Sequence, residues 1–359
     1  MKKHYGVTLT DIADELNLSI YTVSRAINGL SGVSKKTRAI VLESAERHGY
    51  IPNANARDLR KGVHHSVTLL TAETSNPYYL DLISGIESVF QDKDESLLIA
   101  DMAVNGKYSE ANETMLLQQV LENRPGGIIS TLGLSDASRQ QLLDWKVPVV
   151  FVDSVPGDGK SDFSYVATDN AAASAMLGEH LSFHHYKRWL LAIYPGVWNS
   201  RFVRESGLRE AAKACGAEIN VLECPNDQRD ACRVYEDFLA NSSYHPDVTI
   251  AANNPILLGV LKALNHRNLR VPEDMPLVAF DDFAWSDLLS PKITLVAEDS
   301  HGIGARSAEL LLDLIESRKE AEDKTGEPAH KHSIHESFEA TLKIRESCGC
   351  VHQQADGAK

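Results

Sequence analysis

The stretch Leu18 to Gly29, LSIYTVSRAING, limits this chain more than any other. Upstream, Thr10 followed by Asp11, Ile12, Ala13 and Leu16 reads as a capped first helix. A second short helix is expected after Ser19, with Val23 and Ile27 four apart on one face and Gly29 as its stop. Asn17 and Leu18 alone separate the two. So short a link between two amphipathic helices predicts a helix-turn-helix, whose second helix would carry Ile20, Tyr21, Thr22, Ser24 and Arg25 into a DNA major groove. The bland alternative is a helical hairpin that merely packs against something else. The segment that follows weighs against it: Ser34 caps a third expected helix opening on Lys35, Lys36, Thr37 and Arg38, with Ile40, Val41, Leu42 and Ala45 as its candidate buried side. His48 and Gly49 end that helix, Tyr50 to Asn53 turns the chain, and a short helical segment is expected over Ala54 to Arg60.

TLTDIADELNLSIYTVSRAINGLSGVSKKTRAIVLESAERHGYIPNANARDLRKG closely resembles the DNA-binding domain and hinge of the LacI/GalR (lactose repressor) family. The resemblance implies that Ile20 and Tyr21 stand where the family varies with operator sequence, and Arg25 where it contacts a base. It also implies that Leu59 is the hinge leucine wedged into the minor groove, with Asn53 and Ala56 beside it. Thr10, Ser19, Thr22, Ser24, Asn28 and Ser34 complete the candidate DNA-contacting set. Two departures stand out: Asn17 replaces the usual turn glycine, which an asparagine tolerates, and Asp58 puts a carboxylate next to Leu59.

Net charge is −14 over 359 residues, which taken whole would argue against nucleic acid. Residues 1–62, however, carry ten Lys/Arg and six Asp/Glu, leaving −18 for the remainder. A basic head on an acidic body directs only the head to phosphates. Five cysteines without framework spacing and no apolar run of spanning length lead to the expectation of a reduced, cytoplasmic protein acting on the nucleoid, with no membrane partner.

Beyond Gly62 the pattern changes. Apolar runs at 67–70, 97–100, 127–129, 147–152, 190–193, 248–251 and 277–280 alternate with helical stretches near Tyr79–Phe90, Glu110–Glu122 and Ser135–Trp145. Such alternation predicts crossover units on parallel sheets, too many strands for one sheet. The family resemblance continues through SNPYYLDLISGIE, NSRFVRESGLREA, AANNPILLGVLKAL, LRVPEDMPLVAFDD and SPKITLVAEDS. It implies an N-terminal helix-turn-helix DNA-binding domain (1–50), a hinge helix (51–62), and an α/β periplasmic-binding-protein-like effector and dimerisation domain (63–346) of two parallel-sheet subdomains. Their expected extents are 66–162 plus 292–324 and 163–291 plus 325–346, with 347–359 a flexible tail.

Ligands of such folds bind between the subdomains, beyond the carboxyl ends of strands. The residues falling there are Asn76, Tyr78, Tyr79, Asp153, Ser154, Trp198, Ser200, Arg204, Asn253, Asn254, Asp281 and Trp285. By resemblance Arg204, Asn253, Asp281 and Asp153 stand where sugar-responsive members bind hydroxyls, while Trp198 occupies the base-contacting arginine position of the purine-responsive branch. Carboxylates, amides and aromatic faces suit a sugar or sugar derivative. The alternatives stay open: Asp153 and Asp281 could cap helices or pair with a cation, and the aromatic residues could simply be packed. Asp169 and Asn170 read as a helix start, and Glu298 stands where the family usually has glutamine.

His180 and His184 have a metal-compatible spacing, but with no third ligand in view they read, like His330, His332, His335 and Cys348-Gly349-Cys350, as surface features; no metal and no cofactor are expected. No phosphate loop, nucleophile elbow or base-nucleophile pair is recognisable, so the enzyme reading is poor. One recognition helix reads few base pairs, so a homodimer on a near-palindromic operator is expected, through helices at 79–90 and 107–122. The resemblance implies a repressor whose ligand alters hinge spacing, with induction favoured over corepression. A sugar sensor or transport-type protein without a DNA role, and a repressor controlled by a protein partner, are the competing readings.

Overall fold

Three short helices make up the described part of the N-terminal unit: α1 (Leu9–Leu16), α2 (Ile20–Ile27) and α3 (Lys35–Arg47). Thr8 caps α1 in a capping box: its hydroxyl accepts from Asp11 N at 3.2 Å and Asp11 accepts from Thr8 N at 2.7 Å. The box requires the acid three residues after the cap, and Asp11 stands three from Thr8, so Thr10 falls inside the first turn rather than at the cap. Asn17 closes α1 in the left-handed conformation (φ 52°, ψ 45°), as its side chain allows. Ser19 and Ser34 cap α2 and α3 by accepting from Thr22 N and Thr37 N. Ile12, Ala13, Val23, Ala26, Val41 and Ala45 form the small core. Ile40 and Leu42 stay exposed, because the helical period that buries Val41 returns at Ser44 and Ala45.

The computed structural model describes residues 7–51, 66–72, 76–91, 93, 95–104, 107–154, 162–325 and 333–350. The chain divides into two units, Met1–His64 and His65–Lys359. The hinge candidates Asn53, Ala56 and Leu59 lie outside the described residues, as do His330 and His332.

The second unit holds two sheets. The first contains β1 (Ser66–Thr71), β2 (Ser96–Asp101), β5 (Gly127–Ser130), β6 (Val149–Val152), β7 (Ser164–Thr168) and β13 (His335–Phe338), all parallel in the order β13-β7-β6-β5-β1-β2. A two-stranded ribbon of β3 (Ala103–Val104) and β4 (Lys107–Tyr108) follows β2. The second sheet orders β8 (Arg188–Ile193), β9 (Glu218–Glu223), β10 (Val248–Ala251), β11 (Leu277–Phe280), β12 (Thr294–Ala297) and β14 (Thr341–Lys343) as β14-β12-β11-β10-β8-β9, with β14 alone antiparallel. Strands buried on both faces explain the continuous apolar runs: Val150 and Val152 enter one core cluster, Val149 and Phe151 the opposite one.

Strand pairing moves the expected subdomain borders. β7 lies in the first sheet beside β6, β12 lies in the second beside β11, and β13 returns to the first before β14 ends in the second. The three crossings therefore fall after Thr168, after Ala297 and after Phe338, rather than at 162/163, 291/292 and 324/325. The helix Ser300–Thr325 packs on the helix Pro77–Phe90 of the first sheet. Their backbones touch at glycines: a Cβ on Gly85 would lie 2.1 Å from His301 O, and one on Gly304 2.1 Å from Leu82 O.

Residues 347–350 do not behave as a tail. Ser347 and Cys348 are fully buried, and Ser347 bridges the second sheet by donating to Leu277 O (2.6 Å) and accepting from Thr294 N (2.8 Å). No helix among the described residues is long and apolar enough to cross a membrane.

Candidate functional sites

On α2, burial of Val23 and Ala26 turns the polar side outward: Ile20 is 49% and Tyr21 69% exposed. Arg25 Nη1 donates to Tyr21 Oη at 2.8 Å, and its guanidinium lies 5.2 Å from that ring's centroid, so the two side chains form one planar, hydrogen-bonding patch. Arg25 also donates to Ser31 O through Nε at 2.8 Å. Arg38 ties α3 to the carbonyl end of α2 by donating to Ala26 O (2.9 Å) and Leu30 O (2.5 Å). Thr10 is exposed on α1, and Asn28 bonds back to Ser24 O at 2.7 Å. Ser19, Thr22 and Ser34 are engaged in caps: Ser19 Oγ lies 2.8 Å from Thr22 Oγ1 and Ser34 Oγ 2.8 Å from Thr37 Oγ1.

In the second unit, a pocket of about 370 Å³, its open mouth included, opens between the two sheets and is lined by Asn76, Tyr78, Tyr79, Thr131, Asp153, Tyr194, Trp198, Ser200, Asn226, Asn253, Asp281 and Glu298. Each follows the carboxyl end of a strand: β1, β5 and β6 from the first sheet, and β8, β9, β10, β11 and β12 from the second. Eight of the twelve residues expected there line it; Ser154 and Asn254 are buried and are not in its lining. Trp285 does not: it is 39% exposed and packs edge-on to Phe283 at 4.3 Å. Nor does Arg204, although it organises the floor residues. Buried at 4% exposure, it donates to Asn170 Oδ1 (2.7 Å), Ala252 O (2.7 Å), Asp281 Oδ1 (3.2 Å) and Glu298 Oε1, with its guanidinium 4.5 Å from the Phe280 ring centroid. Asp169 caps the helix Asn170–Phe183, as expected.

Sequence reading missed Thr131, Tyr194 and Asn226 as pocket residues. Tyr194 hydrogen-bonds Ser200 (2.8 Å) and Asn226 accepts from Asn253 Nδ2 (2.7 Å), so each orients a residue that was expected. Their position just past a strand was the available signal.

Three carboxyls share one guanidinium here. Tyr78 Oη donates to Asp153 Oδ2, and Thr168 N reaches Asp153 Oδ1 at 3.4 Å. Desolvation pushes Asp153 up to about 7 and Glu298 up to about 8 against the pull of Arg204, and it raises Asp281 as well. Three buried anions beside one cation cannot all ionise at low dielectric, so the cluster retains protons at neutral pH. Asp153 (φ 51°) and Asp281 (φ 67°) hold left-handed backbones at their strand ends, strain of the kind that aims side chains into sites. Trp198 Nε1 and Glu298 Oε2 are buried without a hydrogen-bond partner among the described residues. The pocket thus sets polar groups beside aromatic faces.

Residues 8–53 match the family described as bacterial regulatory proteins, lacI family, and residues 180–348 the periplasmic binding protein-like domain. Catabolite control protein A of Priestia megaterium is 28% identical over 321 residues, 85% of this chain and 92% of that protein. Among solved structures, the lac repressor dimer bound to operator and the anti-inducer ONPF superposes with a TM-score of 0.72 at 21% identity, covering 96% of this chain and 99% of the other. The transcriptional regulator CelR–cellobiose complex gives a TM-score of 0.67 at 24% identity, covering 95% and 99%. A lacI-type helix-turn-helix thus precedes a two-sheet periplasmic-binding-protein-like domain, in a chain similar over most of its length to regulators of the LacI family.

Proposed function

We propose that this chain is a sequence-specific DNA-binding transcriptional repressor whose operator affinity is set by a small polyhydroxylated ligand, a sugar or sugar derivative, held in the pocket between the two sheets. The observation that carries this reading is the pocket itself: eight strand ends converge on it and bring carboxyls, amides and aromatic rings to one place. A ring with vicinal hydroxyls fits that chemistry, the hydroxyls pairing with carboxyls and amides and the apolar face lying on Tyr and Trp. One solved relative is a complex with cellobiose and another is bound to operator, which agrees with this division of labour.

Operator reading falls to Tyr21 and Arg25 on the exposed face of α2, with Ile20 beside them. The homodimer this requires is supported by an apolar edge on the first sheet: Leu98 and Ile99 of the edge strand β2 are 51% and 50% exposed, with Leu80 and Met115 exposed on nearby helices. Ligand binding draws the subdomains together and, through the linker that holds Leu59, releases the operator, so that ligand and DNA weaken each other's binding by about 1–3 kcal/mol. Such a regulator works in the cytoplasm on the nucleoid.

The test is selection of sites from a random duplex library by the purified protein. The reading requires a near-palindromic consensus with a deformable central step, and Leu59→Ala should weaken that site far more than random DNA. Absence of a consensus, with a sugar still bound tightly, would move the protein to a sensor without a DNA role.

A further inference from the structure

The far end of the helix Asn170–Phe183 carries a second cluster of chemistry, distinct from the pocket. The helix starts at Asn170, which accepts from Arg204 beside the pocket, and runs fourteen residues, roughly 21 Å, to its carboxyl end. There His180, His184, Cys348 and Cys350 converge, with one ligand atom from each lying within 4.8 Å of all the others. His180 lies in the last turn of the helix and His184 is its C-cap, and their rings meet edge-on at 4.8 Å. The two cysteines flank Gly349, whose left-handed backbone (φ 84°) turns the chain and brings both sulfurs to the same place.

Several features hold this set in position. Ser347, immediately before the cysteines, is bonded to both Leu277 and Thr294 in the second sheet. Thr294 Oγ1 donates to Cys348 Sγ at 3.0 Å, an outer contact of the kind that orients a thiolate. Tyr186 donates to Cys348 O at 2.8 Å while its ring stacks on His184 with centroids 5.4 Å apart. His184 Nε2 already lies 3.1 Å from Cys350 Sγ. The decisive observation is His180: 8% exposed, with its Nε2 buried and lacking a hydrogen-bond partner among the described residues. A buried imidazole nitrogen without a partner is costly unless something fills its coordination.

From this geometry we infer a tetrahedral Cys2His2 site for a zinc ion, formed by His180, His184, Cys348 and Cys350, that pins the C-terminal segment to the second subdomain. Bond lengths of about 2.3 Å to sulfur and about 2.0 Å to nitrogen place tetrahedral ligand atoms roughly 3.3–3.8 Å apart, a small contraction of the cluster as it stands. Two thiolates cancel the ion's charge, so the bound site is neutral overall, which suits its burial. The two imidazoles and two sulfurs leave no position open for water, so the role is structural rather than catalytic.

The test uses the full chain, reduced and stripped with a strong chelator, then titrated anaerobically with cobalt(II). One cobalt per chain, with the intense visible bands of tetrahedral geometry and a thiolate charge-transfer band, is expected, and zinc should displace it stoichiometrically. Cys350→Ser and His184→Ala, at partly exposed positions, should each weaken uptake at least tenfold while leaving circular dichroism and DNA binding unchanged. Independently, zinc should protect two of the five cysteines from a thiol reagent in the wild type. Weak octahedral spectra, uptake unchanged in both variants, or a Cys348–Cys350 disulfide that persists through reduction would overturn the site.

Discussion

The recognition helix and the effector pocket use polar side chains in opposite ways. On α2 the polar groups sit at the surface over a small core, and Arg25 and Tyr21 hold each other in place with bonds that water could otherwise supply. In the pocket the polar groups are buried, and Arg204, Asp281 and Glu298 depend on one another because solvent is excluded. The contrast follows from the partner each site suits. A large polyanion brings its own charge and solvation, and needs only presented donors. A small neutral ring must be recognised by groups whose desolvation has already occurred in folding.

The comparison predicts its largest effect at Arg204. Arg204→Met leaves buried carboxyls without their cation and should destabilise the second unit by about 3–5 kcal/mol. Tryptophan fluorescence during urea unfolding reads this unit selectively, since all four tryptophans lie in it. A loss near zero would mean that the cluster is solvated after all. On the surface side, Arg25→Ala should cost about 1–3 kcal/mol on a selected operator and much less on random duplex, as measured by anisotropy. Equal losses on both would reduce Arg25 to a phosphate contact. Thr8→Ala should lower the stability of the N-terminal unit by about 1 kcal/mol, and Thr10→Ala by far less, because only Thr8 closes the capping box. Trp198→Phe removes a single donor and should weaken the effector by about 1 kcal/mol, roughly fivefold in calorimetry, without changing ligand-free DNA binding.

A separate effect is one of pH. Asp153 and Glu298 keep protons in the folded pocket that the unfolded chain gives up near the ordinary carboxylate range. Between those limits the folded state binds more protons, so the stability of the second unit should decline as pH rises from about 5 to 8 and level off above. Asp153→Asn should flatten that decline, and a slope of opposite sign would show that the carboxyls are ionised throughout.

Local chemistry explains which parts were legible in the sequence. Asn17 as a left-handed stop, Ser34 as a cap and Asp153 and Asp281 past their strands were all readable, because each announces itself through its own backbone preference or neighbours. The sheet membership of β7 and β12 was not, since pairing partners are set across the fold rather than along the chain. Thr131 and Tyr194 stand just past their strands, but their side chains do not distinguish them from other strand-end residues until Asp153 and Ser200 line the same pocket. The chemistry of Arg204 is visible in the sequence, and its four buried partners are not. The Cys348 and Cys350 pair looked like a tail for the same reason, its histidine partner lying 166 residues away.

The most direct measurement is the anisotropy of a selected operator titrated with the protein in the presence of pentoses, hexoses, disaccharides, polyols and nucleosides, for the wild type and Trp198→Phe. The account predicts that one polyhydroxylated compound shifts operator affinity by about five- to 150-fold in the wild type, and that the variant needs more of it for the same shift. A compound that binds the protein in calorimetry yet leaves operator affinity unchanged, or shifts it at identical concentrations in both proteins, would contradict the coupling of this pocket to DNA.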